Sequence, residues 1–235
     1  GWVTTFNKYA VVSENRCTII PNDTNHQLAA LFGCAITTGF GVIENNAKLK
    51  MGESIIVFGA GGIGLNIIQA ASLVNAWPII AVDLFTNRLE LSKDFGATHT
   101  INSKEVNVEK EIQNIMGNTS GVNVFIDNTG VTSIIELGYK LIDKDGRLVL
   151  VGVPKIGENI NIFTLPLHFG KTIVGSYGGN CLPHLDIPRY LKLFQKKKLL
   201  GFENLISSIY PLHQINEALD SMQKGNTAGR VLIKL

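Results

Sequence analysis

From residue 54 onward the chain repeats one rhythm: a short β-branched run, a turn, a stretch of helical periodicity, and then the same again. Strands are expected at Ser54–Phe58, Ile79–Val82, His99–Ile101, Val122–Ile126, Arg147–Val151 and Lys171–Ser176. Helices fall between them at about Gly62–Val74, Thr86–Phe95, Val108–Met116 and Val131–Leu141. Gly96 and Gly117 stand just past two of these helices, where a residue with positive φ ends the turn. Strand and helix alternation of this length predicts an α/β fold, a doubly wound parallel six-stranded sheet with helices on both faces. Right-handed crossovers leave a parallel sheet no other compact arrangement.

The first turn of that repeat carries chemistry. Phe58-Gly59-Ala60-Gly61-Gly62-Ile63-Gly64 sets Gly-x-Gly-x-x-Gly between the end of a strand and the start of a helix. Gly59 suits a tight turn, Gly61 lets backbone approach a pyrophosphate, and Gly64 permits close packing of helix on strand. The helix N-terminus, with Gly62 and Ile63 in its first turn, then faces the phosphates. Asp83 ends the second strand 19 residues past Gly64, where a carboxylate accepts hydrogen bonds from the adenosine ribose hydroxyls. The pattern is that of a Rossmann dinucleotide-binding domain. Asp83 would repel a 2′-phosphate, and Leu84 and Phe85 after it are not basic, so NAD is expected over NADP. Arg88, one helical turn on, is either an ordinary helix-surface residue or a ribose contact.

The remaining composition narrows the partners. Twenty-one basic and 19 acidic residues leave a net charge of +2, which excludes a strong field for nucleic acid. The most apolar window, Ile55–Val74, holds four glycines and is interrupted by Asn66 and Gln69, so no membrane span is expected. Cys17, Cys34 and Cys181 form no close pair, which favours a reducing, cytoplasmic setting. The five tyrosines include no Tyr-x-x-x-Lys, which excludes a short-chain dehydrogenase. The chain opens at Gly1 without a leader and is expected to be processed or a piece of a longer protein.

Residues 1–35 break the rhythm, with one alternating stretch at Tyr9–Ser13 and then a loop at Pro21-Asn22-Asp23. Past Gly179, Asp186 is expected to cap a helix running through Lys198, with Pro188 in its first turn. The Lys196–Lys198 run then sits at the negative end of the helix dipole. Ile215, Leu219 and Met222 mark the core stripe of a second helix ending at Gly225, and Val231–Leu235 closes the chain as a strand.

Leu31-Phe32-Gly33-Cys34-Ala35-Ile36-Thr37-Thr38-Gly39-Phe40-Gly41, followed by the glycine fingerprint and Asp83, closely resembles the zinc-dependent alcohol dehydrogenases of the medium-chain dehydrogenase/reductase superfamily. The resemblance runs the whole chain. Val151-Gly152-Val153-Pro154 resembles the strand end that faces the nicotinamide carboxamide, with Val151 and Val153 as contacts. Gly175-Ser176-Tyr177-Gly178-Gly179, with Tyr177, resembles the segment leaving the coenzyme domain. Gly229-Arg230-Val231 places Arg230 where the family has an arginine on the pyrophosphate. The resemblance implies that Cys34 is a ligand of a catalytic zinc and that Thr38 lies against the nicotinamide.

It further implies three parts: residues 1–35 and 179–235 from a truncated GroES-like catalytic domain, and 36–178 as the NAD-binding domain. The family's other zinc ligands and its proton relay find no match here. His26, His99, His168, His184 and His213 are scattered singly and are expected at the surface or in caps. The implied activity is NAD-dependent oxidation of a small alcohol to an aldehyde or ketone, with zinc as Lewis acid and this chain supplying the coenzyme-binding part. The alternatives are a zinc-free quinone or enoyl reductase of the same superfamily, or a nucleotide-binding module without catalysis. Asn159-Ile160-Asn161-Ile162-Phe163-Thr164 reads as an exposed edge, and the resemblance implies a homodimer through residues 159–164.

Overall fold

The computed structural model describes residues 5–117, 119, 121–195, 202–225 and 227–235. The Lys196–Lys198 run therefore lies outside the described residues. In chain order the elements are α1 (His26–Phe32), α2 (Ala35–Gly41), β1 (Ile55–Phe58), α3 (Gly62–Leu73), β2 (Ile79–Asp83), α4 (Thr86–Asp94), β3 (His99–Asn102), α5 (Val108–Met116), β4 (Val122–Asp127), α6 (Thr132–Leu141), β5 (Ile142–Leu150), β6 (Thr172–Gly175), α7 (Pro183–Gln195), β7 (Ile206–Pro211), α8 (Ile215–Gln223) and β8 (Arg230–Lys234). They divide into two compact units, Cys34–Cys181 and a second formed by Gly1–Gly33 with Leu182–Leu235.

In the first unit six parallel strands lie in the order β3-β2-β1-β4-β5-β6. The expected doubly wound Rossmann sheet is present, and the expected strands and helices of the repeat lie within about two residues of their places, except that β5 begins at Ile142, five residues ahead of its expected start at Arg147. Every residue of β1 and β2 is buried, because crossover helices cover both faces. On one face Ile56, Phe58, Ile80, Val82, Phe125 and Leu148 pack with Ile112 of α5 and Ile135 and Tyr139 of α6. Gly96 and Gly117 do carry positive φ, 105° and 60°, where α4 and α5 end. Among the described residues no single helix is long and apolar enough to cross a membrane.

The segment 159–164 departs from its expected form. It carries no strand of its own, and Ile160 and Ile162 turn inward to pack against the sheet core. Asn161 N–H donates to Glu136 Oε1 at 2.6 Å, and Tyr139 Oη donates to the Phe163 carbonyl at 2.8 Å. Phe163 alone of the three apolar side chains is largely exposed, at 70%. An extended chain alternates its faces, so the isoleucines cannot be exposed together with Phe163.

In the second unit β7 and β8 pair in parallel, and α8 lies against them. Three expectations are corrected there. Tyr9–Ser13 forms no strand, and Tyr9 and Val11 are fully solvated. The first helix of the C-terminal region begins at Pro183 rather than after Asp186. Proline lacks the N–H that a first helical position leaves unpaired, and Asp186 caps from inside the first turn, its Oδ2 accepting from Leu182 N–H at 2.7 Å. In α8 Leu219 and Met222 are about half exposed while Ala218 is buried, since a two-stranded sheet is too narrow to cover the whole stripe.

Candidate functional site

Strand order reverses between β1 and β4, and in an open parallel sheet the crevice at that point, beyond the strands' C-terminal ends, is where ligands bind. A cleft of about 480 Å³ opens there. One wall is Gly59, Gly61, Asp83, Phe85 and Arg88, and the other is Asn128, Thr129 and Val131.

The glycine loop is built as its spacing requires. Gly59 has φ 99°, a left-handed turn that carries the chain from β1 into α3. A Cβ on Gly64 would stand 2.0 Å from the Gly59 carbonyl oxygen, so helix and loop touch through backbone. A Cβ on Gly61 would meet nothing within 4 Å, because that position faces the open cleft. Gly61 is also the N-cap of α3 and offers no side-chain acceptor, so the N–H groups of the first turn, at Gly62, Ile63 and Gly64, present partial positive charge. An anion is the group that complements them.

Asp83 is 5% exposed. Its Oδ2 accepts from Ala60 N–H at 2.7 Å and its Oδ1 from Leu84 and Phe85 N–H at 2.8 and 3.0 Å. The carboxylate thus ties the glycine loop to the end of β2. Arg88 Nη1 lies 3.8 Å from Asp83 Oδ2, and its guanidinium sits 4.7 Å from the centre of the Phe85 ring.

The opposite wall escaped the sequence reading. Asp127, fully buried at the end of β4, accepts from Thr129 N–H and hydroxyl at 3.0 and 2.6 Å through Oδ1, and from Gly130 N–H at 3.0 Å through Oδ2. Asn128 Nδ2 donates to the Gly59 carbonyl at 3.2 Å and joins the two walls. The Asp-Asn-Thr-Gly run ending a buried strand was the available signal, since such residues bond their own following backbone. Val151 N–H donates to the Asp127 carbonyl at 2.8 Å, which holds the end of β5 beside that turn.

The other sequence candidates are more dispersed. Val153 and Tyr177 are 89% and 92% exposed. Cys34, an exposed residue, is the N-cap of α2, and its carbonyl accepts from the N–H of Thr38, which is buried. Arg230 belongs to the second unit, in β8 opposite Ile206. A catalytic zinc requires three protein ligands and an open position. Among the described residues no three His, Cys, Asp or Glu side chains gather to hold a metal, so Cys34 by itself does not make a zinc site.

Comparison with known proteins agrees with this geometry. Residues 62–196 match the family model described as zinc-binding dehydrogenase. S-(hydroxymethyl)glutathione dehydrogenase of Haemophilus influenzae is 30% identical over 231 residues, 97% of this chain and 60% of that protein. Alcohol dehydrogenase class-P of Arabidopsis thaliana is 33% identical over 95% of this chain and 59% of its own length. The crystal structure of benzyl alcohol dehydrogenase from Acinetobacter calcoaceticus superposes with a TM-score of 0.89 at 34% identity, covering 96% of this chain and 61% of that one. The chain thus spans about 60% of the length of the curated relatives it matches. A parallel sheet in this strand order, a glycine loop opening on its switch-point cleft, and a family model covering more than half the residues place the chain in the zinc-binding dehydrogenase family.

Proposed function

We propose that this chain is the coenzyme-binding part of an NAD-dependent alcohol dehydrogenase acting on a small alcohol or its aldehyde. The observation that carries the reading is the cleft at the β1/β4 switch point, with an uncapped helix N-terminus at Gly61 and a buried carboxylate at Asp83. The first-turn N–H groups of α3 would hold the pyrophosphate, and the open position at Gly61 gives it room. Asp83, already fixed by three backbone donors, keeps lone pairs for the adenosine ribose hydroxyls, and its charge disfavours a 2′-phosphate. Val131 and Ile134 line the cleft with apolar surface. Arg88 is assigned to the ribose, Arg230 to the pyrophosphate, and Thr38, Val151, Val153 and Tyr177 to the nicotinamide end. NAD, when bound, supplies the hydride acceptor.

Zinc enters by family resemblance alone, with Cys34 as one ligand. The described residues do not complete its coordination. Domain roles follow the same reading: 36–178 for coenzyme, with 1–35 and 179–235 belonging to a GroES-like catalytic part. The relatives named as alcohol and S-(hydroxymethyl)glutathione dehydrogenases favour this over a quinone or enoyl reductase. A cytoplasmic homodimer paired through residues 159–164, with Phe163 outermost, completes the proposal.

Calorimetric titration of the purified chain with NAD and with NADP tests it. Tighter binding of NAD is expected, and equal or reversed affinities would overturn the assignment of Asp83. The chain alone is expected not to oxidise benzyl alcohol with NAD, even with zinc added. Zinc-dependent turnover would refute the single-ligand reading.

A further inference from the structure

The sheet has an open edge at β3, which pairs with β2 alone and ends the strand order. Thr98 N–H donates to the Ile79 carbonyl at 2.8 Å, and backbone groups alternate sides along a strand, so the N–H and C=O groups of His99 and Ile101 point away from β2. Along that edge, between α4 and α5, runs a slot of about 450 Å³. It shares no lining residue with the cleft at the β1/β4 switch point. Leu89, Val106 and Ile115 give it an apolar lining, and its full charges have one sign: Glu90, Glu105 and Glu111 line it, and no lysine or arginine does. Glu90 and Glu105 each engage one oxygen, with Lys93 Nζ at 2.8 Å and Asn102 Nδ2 at 2.7 Å. Glu111, half-buried, has no hydrogen bond or ion pair among the described residues. At the start of the slot the His99 ring meets Trp77 edge to face, centroids 6.1 Å apart, and Trp77 is 63% exposed. Exposed tryptophan is the residue type that protein interfaces favour.

We infer that this slot is a docking site for an extended segment of a partner protein, with basic residues alternating with β-branched ones, which adds to the sheet as a seventh strand beyond β3. Main-chain hydrogen bonds to His99 and Ile101 supply affinity, and the side chains entering the slot supply selection. Apolar side chains meet Leu89, Val106 and Ile115. Ammonium or guanidinium groups meet the carboxylates, Glu111 above all, because its charge is half-buried and unpaired. The four residues of β3, at about 3.3 Å each, offer an edge of about 13 Å. The same carboxylates exclude a second copy of this chain as the occupant. Two β3 edges paired about a two-fold axis would bring each set of three carboxylates against its own image.

The experiment uses the full chain and three end-blocked eight-residue peptides: alternating lysine and valine, the same with glutamate for lysine, and the lysine peptide N-methylated at every amide. Calorimetric titration gives affinity, and amide hydrogen exchange read by NMR locates the contact. The lysine peptide is expected to bind and to protect the His99 and Ile101 N–H groups. The glutamate peptide should bind at least about tenfold more weakly. So should the N-methylated one, which keeps the charge and loses every donor. Glu111→Lys should weaken the lysine peptide at least about fivefold with its thermal melt within the range of surface changes. The peptide series stands on the native chain even if that variant folds poorly. Equal binding of the N-methylated peptide reduces the contact to charge attraction and overturns the inference. A lysine peptide that does not bind, or binds without protecting His99 and Ile101, overturns it as well. Butylamine held as tightly as the peptide would make the slot a small-amine site, and protection of the two amides by self-association alone would make it a contact between copies. Either result refutes the partner strand.

Discussion

The glycines of the loop can be told apart by what a single methyl group does at each. On Gly64 the added Cβ would stand 2.0 Å from the Gly59 oxygen and 3.0 Å from its carbonyl carbon. Both are backbone atoms, so no side chain can turn aside and the loop itself must move. Overpacking of this kind costs about 1–3 kcal/mol, and the upper end applies because nothing flexible absorbs it. Alanine within a helix gives back about 0.5–1 kcal/mol. A net loss of about 2 kcal/mol corresponds to a fall in Tm of about 4–8 °C for a chain of this size. Displacing the loop also misaligns the first-turn N–H groups, so NAD affinity should fall at least about tenfold, the equivalent of about 1.4 kcal/mol. On Gly61 the methyl meets nothing, and φ is −74°, which any residue adopts. Gly61→Ala should therefore melt within about 0.5 kcal/mol of the native chain, as surface changes do. It should nevertheless lose NAD, because the methyl takes the space of the pyrophosphate. Thermal melts and calorimetric titration of both variants give the answer. A Gly61→Ala that destabilises as much as Gly64→Ala, or binds NAD as the native chain does, would refute the geometry.

Glu53 and Arg147 join the start of β1 to β5 through a two-pronged ion pair, and both side chains are about one-fifth exposed. Burial pushes the Glu53 carboxyl up, but the Arg147 hydrogen bonds and charge and the Lys50 N–H outweigh it and hold the pKa below the ordinary value. The pair's stabilisation is thus present above the unfolded carboxyl's pKa and is lost as pH falls through the depressed one, so urea melts of Glu53→Gln and the native chain should differ at pH 7 and converge under acid. Phe163→Lys should abolish self-association in sedimentation while leaving the melt unchanged, whereas Ile162→Lys should lower the melt itself, because Ile162 packs on the core. Asp127→Ala leaves the Thr129 and Gly130 N–H groups without their acceptor, and a loss of about 1–3 kcal/mol with weakened NAD binding is expected from melts and titration.

The strand and helix rhythm, the glycine loop and the carboxylate ending β2 were all legible in the order of residues, because each is a local requirement. A buried parallel strand needs a β-branched run, a tight turn needs glycine, and a helix end needs a residue that tolerates positive φ. Residues 55–58 and 59–64 state those requirements within a few positions of one another. Other features could not be read this way, since they depend on chain segments far apart in sequence. Phe85 and Lys104 meet only because β2 and β3 lie side by side. Asn128 reaches the Gly59 carbonyl only because β4 pairs with β1 across 69 residues. Strand β7 hides two serines inside its run, and only its pairing with β8 makes it a strand. Ile160 and Ile162 face inward because Tyr139 and Glu136 of α6 hold the segment's backbone. Local chemistry writes itself into neighbouring residues, whereas the sharing of one surface by distant ones is set by packing, and only the folded chain decides it.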